Sequence, residues 1–120
     1  MELSAKTGGV MIINVAKDYS KTPFGRYRDD SPFSAEKFRE EILIPAFIAN
    51  PNEKIVVDFS GVMVGLGSSF LEEVFGGLVR SNKVSVEDIR KNLVIKSKLP
   101  IYEGRVFTFI EKAASSKDQF

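Results

Sequence analysis

The chain has 120 residues, 43% of them hydrophobic and 28% charged, with a formal net charge of +1. That describes one ordinary globular domain, large enough to bury roughly two thirds of its unfolded surface. It has no cysteine and no histidine, which excludes a disulfide scaffold, a thiolate zinc site and a cysteine nucleophile. It also removes the usual general base, metal ligand and triad member near neutral pH. The small net charge offers no case for nucleic acid or an anionic membrane. No apolar run reaches the roughly 18 residues of a membrane span, and MELSAKTGG lacks the apolar core of a signal peptide. The expectation is a cytoplasmic protein with no cofactor.

Residues 1–9 are small and polar, ending in Gly8-Gly9, and read as a flexible leader. Val10 to Ala16 (VMIINVA) is a short apolar run bounded by turn residues and reads as a buried strand. Residues 17–32 are rich in Pro, Gly, Ser and charge. Phe24-Gly25-Arg26-Tyr27-Arg28 in their middle fits either a short second strand or an ordered loop.

Ser34 caps a helix predicted to run to about Ala49, with Phe38, Ile42, Ala46 and Ala49 on one face and Arg39 mostly off it. Pro45 removes a backbone donor and should kink or split that helix. Lys54 to Phe59 (KIVVDF) is the clearest strand, β-branched and nearly all apolar. A helix is predicted from about Ser69 to Ser81, with Phe70, Leu71, Val74, Phe75, Leu78 and Val79 as its apolar stripe. Gly76 and Gly77 cost that helix about 1 kcal/mol each relative to Ala, which close packing against a strand would justify. A short helix from Ser85 to Lys91, a strand at Leu93–Ser97 and a last helix from Pro100 follow. The last helix faces Val106, Phe107, Ile110, Ala113 and Ala114 inward, and residues 115–120 read as a frayed polar tail. Alternating strands and helices imply a single α/β domain over 10–114: a mixed sheet of about four strands with helices packed on it.

The stretch GVMVGLGSSFLEE (61–73) admits several readings. It lacks the lysine and spacing of a Walker motif, and Gly65-Leu66-Gly67-Ser68-Ser69 is followed by Phe70 where the dinucleotide pattern needs glycine. Backbone amides at a helix start can still hold an anion. Gly67-Ser68-Ser69-Phe70-Leu71 does not match a nucleophile elbow, and no histidine exists to activate a serine. The plainest reading is a strand-to-helix turn. Ser69 and Glu72 form a capping box, and Gly65 and Gly67 permit the tight turn. Ser68 then lies just outside the helix with no structural task, open to contact or to phosphorylation, which would add about −1.5 to −2 charge.

The segment KIVVDFSGVMVGLGSSFLEEVFGGL (54–78) resembles the central part of STAS domains, the fold of bacterial anti-sigma factor antagonists. It is most similar to a bacterial STAS-like family of unknown function. That family shares a strand of the type Val57-Asp58-Phe59-Ser60-Gly61-Val62 and a helix start of the type Ser69-Phe70-Leu71-Glu72-Glu73. Phe24-Gly25-Arg26 and the Ser34–Arg39 helix start also look like it. The resemblance spans roughly residues 11–110 and implies a STAS-like α/β fold, without catalysis, and a serine before the helix that a GHKL-type ATPase kinase phosphorylates. Gly67 stands where antagonist STAS domains have aspartate, Phe70 stands where they have glycine, and the loop is one residue longer. The acceptor is therefore open between Ser68 and Ser69.

Around the serines, Gly65, Gly67, Phe70, Glu72 and Glu73 are the expected partner- or anion-contacting residues. Arg26 and Arg28, flanking Tyr27, are either further contacts or a solvated turn with internally paired charges. Asp58, alone in an apolar strand, reads as a hydrogen-bonded strand-end aspartate. The functional expectation is a small regulatory module that binds a protein partner through the corner 65–73, switched by serine phosphorylation. The alternative is a domain that holds a small anion or a nucleotide phosphate at the same helix start.

Overall fold

The computed structural model describes residues 6–7 and 9–118, with side chains from 9 to 117. The expected leader at Met1–Ala5 and the final two residues lie outside the described residues. Strand β1 (Lys6–Thr7) is a two-residue stub that pairs antiparallel with β2 (Val10–Asn14), so part of the expected leader joins the sheet. Gly9, at φ +78, allows the turn between them in a region most side chains avoid. The predicted strand Val10–Ala16 stops two residues early. Asn14 caps a helical turn, α1 (Val15–Asp18), its side chain accepting from the Lys17 amide at 3.1 Å. The local cap outcompetes the apolar run.

Residues 19–34 form an ordered loop, not a strand. It is anchored by Tyr19, whose ring packs edge-on against Phe33 and at a tilt against Phe38 and whose hydroxyl donates to Ser34 O at 2.7 Å. Burial pushes the Tyr19 hydroxyl pKa well above its ordinary value, with Glu41 adding to the rise. Ser34 caps the next helix as expected, accepting from Lys37 N at 3.2 Å.

That helix, α2, runs through Ala35–Phe38, a π-helical turn at Arg39–Leu43, and Ile44–Ala49. Pro45 neither splits nor ends it. A π-helical turn sits just upstream, where the Ile44 amide reaches back to Arg39 O, and the helix continues past the missing proline donor. Strand β3 (Lys54–Asp58) follows. Helix α3 spans Ser68–Leu71, a second π-helical turn at Glu72–Gly76, and Gly77–Arg80. Helix α4 (Val86–Asn92) is capped by Ser85, which accepts from Asp88 N at 3.1 Å. It leads into β4 (Leu93–Lys96) and helix α5 (Ile101–Asp118). The polar tail predicted from Ser115 is therefore helical through Asp118.

The sheet order is β1-β2-β3-β4, with β2, β3 and β4 parallel. Its body is three parallel strands and not the four expected, the stub β1 adding only a short antiparallel edge. One face carries Ile13, Ile55, Val57, Leu93 and Ile95, all buried in a core shared with Phe38, Leu43, Leu71, Phe75, Leu78, Val106 and Ile110. This is a two-layer α/β arrangement.

Candidate functional site

The candidate site is the corner where the chain leaves the carboxyl end of β3 and enters α3, the end at which open α/β sheets offer their crevices. Several bonds pin it. The Asp58 side chain accepts from Ser60 N at 2.8 Å, the strand-end role expected for it. Phe59 N donates to Lys96 O at 2.7 Å, and Met63 N to Lys21 O at 2.7 Å. Leu66 N donates to the Tyr102 hydroxyl at 3.1 Å, and the Leu66 side chain is buried. A Cβ on Gly61 would lie 2.9 Å from that of Ala16, so glycine there permits close approach to α1. Gly65 and Gly67 have no comparable need: neither adopts a positive φ, and a Cβ on Gly67 would meet nothing within 4 Å.

Helix α3 starts one residue earlier than predicted, and its cap differs. Gly67 is the N-cap, with φ −72 and ψ 158, and no side chain caps the first turn. Ser69 and Glu72 therefore do not form a capping box, and Ser68 is the first helical residue instead of an outlier before it. Both hydroxyl-bearing residues are exposed. A cleft of about 310 Å³ lies against the loop that precedes them, lined by Phe59, Met63, Val64, Gly65, Leu99 and Tyr102 among others. Several apolar side chains around it are exposed. Met63 is 75% exposed, Leu99 53%, Val64 40%, and the neighbouring Ile101 55%.

The remaining predicted contact residues go elsewhere. Phe70 is buried in the core, and Glu73 is buried too, so neither is available to a visitor. Glu72 and Glu73 anchor an arginine network. Arg26 Nη1 lies 2.6 Å from Glu72 Oε1 and 3.1 Å from Glu73 Oε1. Arg39 Nη1 donates to Glu73 Oε2 at 2.6 Å and to Glu73 O at 2.7 Å. Arg80 Nη1 closes the chain on Glu72 Oε2 at 2.5 Å. Partial burial opposes ionisation of Glu72, but the bonds from Arg80 and Arg26 outweigh it and hold its carboxyl below the usual range. The Glu72 bond, helped by Glu73, raises Arg26 against its own desolvation.

Arg28 pairs with Glu41 at 2.8 Å and Glu40 at 2.9 Å on the rim of α2, and these bonds raise its already high pKa. Both loop arginines are thus paired within the chain, with glutamates of α2 and α3 and not within a solvated turn. Gly76 and Gly77 are close-packed, though not against a strand. A Cβ on Gly77 would overlap the Arg39 guanidinium, and one on Gly76 the Glu72–Arg80 pair. The two π-helical turns, Arg39–Leu43 and Glu72–Gly76, thus carry the two halves of the buried Arg39–Glu73 pair.

Sequence reasoning missed Arg39, which was placed off the apolar face but is buried, and also Tyr102, Met63, Leu99 and Arg80. The Gly76-Gly77 pair was the usable signal for Arg39, since two helical glycines announce a close neighbour without naming it. Among the described residues, no group of three or more Asp and Glu could hold a metal ion. Among the described residues, no helix is long and apolar enough to cross a membrane.

A family model described as a STAS-like domain of unknown function matches residues 34–98, more than half of the chain. No curated protein and no solved structure matches it.

Proposed function

Because the chain belongs to the family of STAS-like domains of unknown function, we propose that it is a small non-catalytic regulatory module that binds a protein partner through the corner 65–69 and its apolar rim, with Ser68 or Ser69 as the phosphate acceptor. The observation that carries this reading is a juxtaposition. Two exposed serines stand at the start of α3, and the loop that leads into them shares a cleft with Leu99 in which Met63, Val64 and Leu99 are solvent-exposed. Apolar side chains exposed together around a cleft are a common feature of protein contacts. A phosphate on either serine would place a dianion at the end of that loop. The helix dipole offsets part of its charge, so the fold would survive while the surface presented to a partner changes. The partner class is a GHKL-type ATPase kinase or a protein it regulates, and the compartment is the cytoplasm.

Incubation with a GHKL-type kinase from the same genomic neighbourhood, followed by peptide mapping by mass spectrometry, tests this. Phosphate on Ser68 or Ser69 is the expected result. Phosphate on other serines only, or none, would count decisively against the switch.

A second reading has its own support. With Gly67 as N-cap, no side chain competes for the first-turn amides of α3, and such amides can receive a small anion or a nucleotide phosphate. Calorimetric titration with phosphate and with ATP separates the readings. Saturable binding that shifts the Ser68–Phe70 amides in NMR spectra favours the second, and no heat with either ligand removes it.

A further inference from the structure

We propose that the face of the sheet opposite the helices is a self-association surface, on which two copies of the chain pack sheet to sheet around a two-fold axis. This inference is independent of the corner's role. The three parallel strands lie in sequence order, and right-handed crossovers between successive strands then fall on one side of the sheet. The burial pattern agrees. Residues pointing to one face are buried in the core, whereas Ile12, Val56 and Val94, which point to the other, neither belong to it nor pack against it. Those three residues pair directly across the strands, Ile12 with Val56 and Val56 with Val94. They form one apolar row over that face, and Val94 at its end is 39% exposed.

The charges beside that row are Lys54, Asp58 and, across from Asp58 on β4, Lys96, and those of the central strand point to the occupant. On the central strand, Lys54 and Asp58 flank Val56, two residues to either side, so β3 presents a cation, an apolar side chain and an anion in line. This pattern complements itself under a two-fold axis. An axis along the apolar row, perpendicular to the strands, sets Val56 on Val56 and brings Lys54 of each copy over Asp58 of the other, twice. An axis parallel to the strands would stack Asp58 on Asp58, and the charges disfavour it. Sheets pack about 10 Å apart, a gap that an extended lysine facing an aspartate spans. Lys54 Nζ uses one donor on Lys91 O at 2.6 Å and keeps others. Asp58 gives Oδ1 to Ser60 N and keeps its second oxygen. The patch is small. Three strands about 4.8 Å apart, with five residues in β2 and β3 and four in β4 rising about 3.3 Å each, cover roughly 14 by 17 Å. That is below a standard interface, so association is weak and rises with concentration.

Sedimentation equilibrium of the full chain from about 10 µM to about 1 mM, the range a small interface calls for, tests the proposal. The weight-average mass should climb from 13.4 kDa toward twice that value. Lys54→Asp and Asp58→Lys should each weaken association at least about fivefold, and the double exchange should restore it. Val94→Glu, at an exposed position on the edge strand, should abolish it while leaving the circular dichroism spectrum unchanged. A chain that stays monomeric at the highest concentration overturns the proposal. So does a dimer indifferent to Val94→Glu, or one weakened by both single reversals and not recovered in the double.

Discussion

The two ends of helix α3 are built to opposite rules. At its amino end, Gly67 supplies no capping side chain, Ser68 and Ser69 are exposed, and the neighbouring loop turns Met63 and Val64 outward. From Glu72 onward the same helix is locked. Glu72 and Glu73 are held by Arg26, Arg39 and Arg80, and Gly76 and Gly77 let those side chains lie against the backbone. The contrast separates presentation from support. The locked end fixes where the open end points, and the open end stays free of intramolecular demands. It also shows why two adjacent glutamates after a serine pair mislead as candidate contacts: their partners come from elements 34 and 46 residues away in sequence.

Substitutions that break the locked end should have the largest effect. Replacing Glu73 by Ala leaves buried Arg39 without its closest carboxylate, only Glu40 remaining at 3.6 Å, and breaking a buried pair typically costs 3–5 kcal/mol. We expect a loss of about 3 kcal/mol in urea denaturation, against less than about 0.5 kcal/mol for Ser68→Ala or Ser69→Ala. Next comes a matched pair of glycines. Gly77→Ala drives a methyl group into the Arg39 guanidinium and should cost about 1–2 kcal/mol, overriding the better helix propensity of alanine. Gly67→Ala meets open space and should change stability by less than about 0.5 kcal/mol. Equal effects from the two would break the comparison.

The pH dependence sharpens it further. Glu72 ionises below its usual range in the folded chain, so its contribution is complete above the unfolded carboxylate pKa and is lost as pH falls through the lower folded value. Stability of the parent chain should therefore fall on acidification below about pH 4.5. Arg80→Ala, which removes one of the two guanidinium partners, should flatten that decline, as chemical denaturation at stepped pH would show. The smallest expected change is a gain. Gly67→Asp restores a capping side chain and should stabilise by a few tenths of a kcal/mol. By occupying the first-turn amides it should also weaken any phosphate bound there.

Much of the fold is legible in the sequence because its signals are local. KIVVD carries the β-branched run of a central strand, Ser34 and Ser85 cap the helices they precede, and the stripe from Phe70 to Val79 is buried throughout. The failures are positions where a tertiary partner decides. Pro45 reads as a break because the π-helical turn just upstream of it leaves no mark in the pattern. Ser69-x-x-Glu72 reads as a capping box because the spacing is right, but Glu72 turns to Arg26 and Arg80 instead. Arg39 reads as a surface residue because its carboxylate lies on another helix. At the corner, the serines and glycines are visible in the sequence. The apolar rim is not, since Leu99 and Tyr102 reach it only through the fold.

Amide hydrogen exchange resolved by residue is the most direct test of the open-and-locked division of α3. Gly65–Phe70 should exchange through local fluctuations, at rates orders of magnitude above those of Val74–Val79, which should open only with global unfolding. Uniform protection from Gly65 to Val79 would mean that the serine corner is part of the rigid core, and that result would contradict the account.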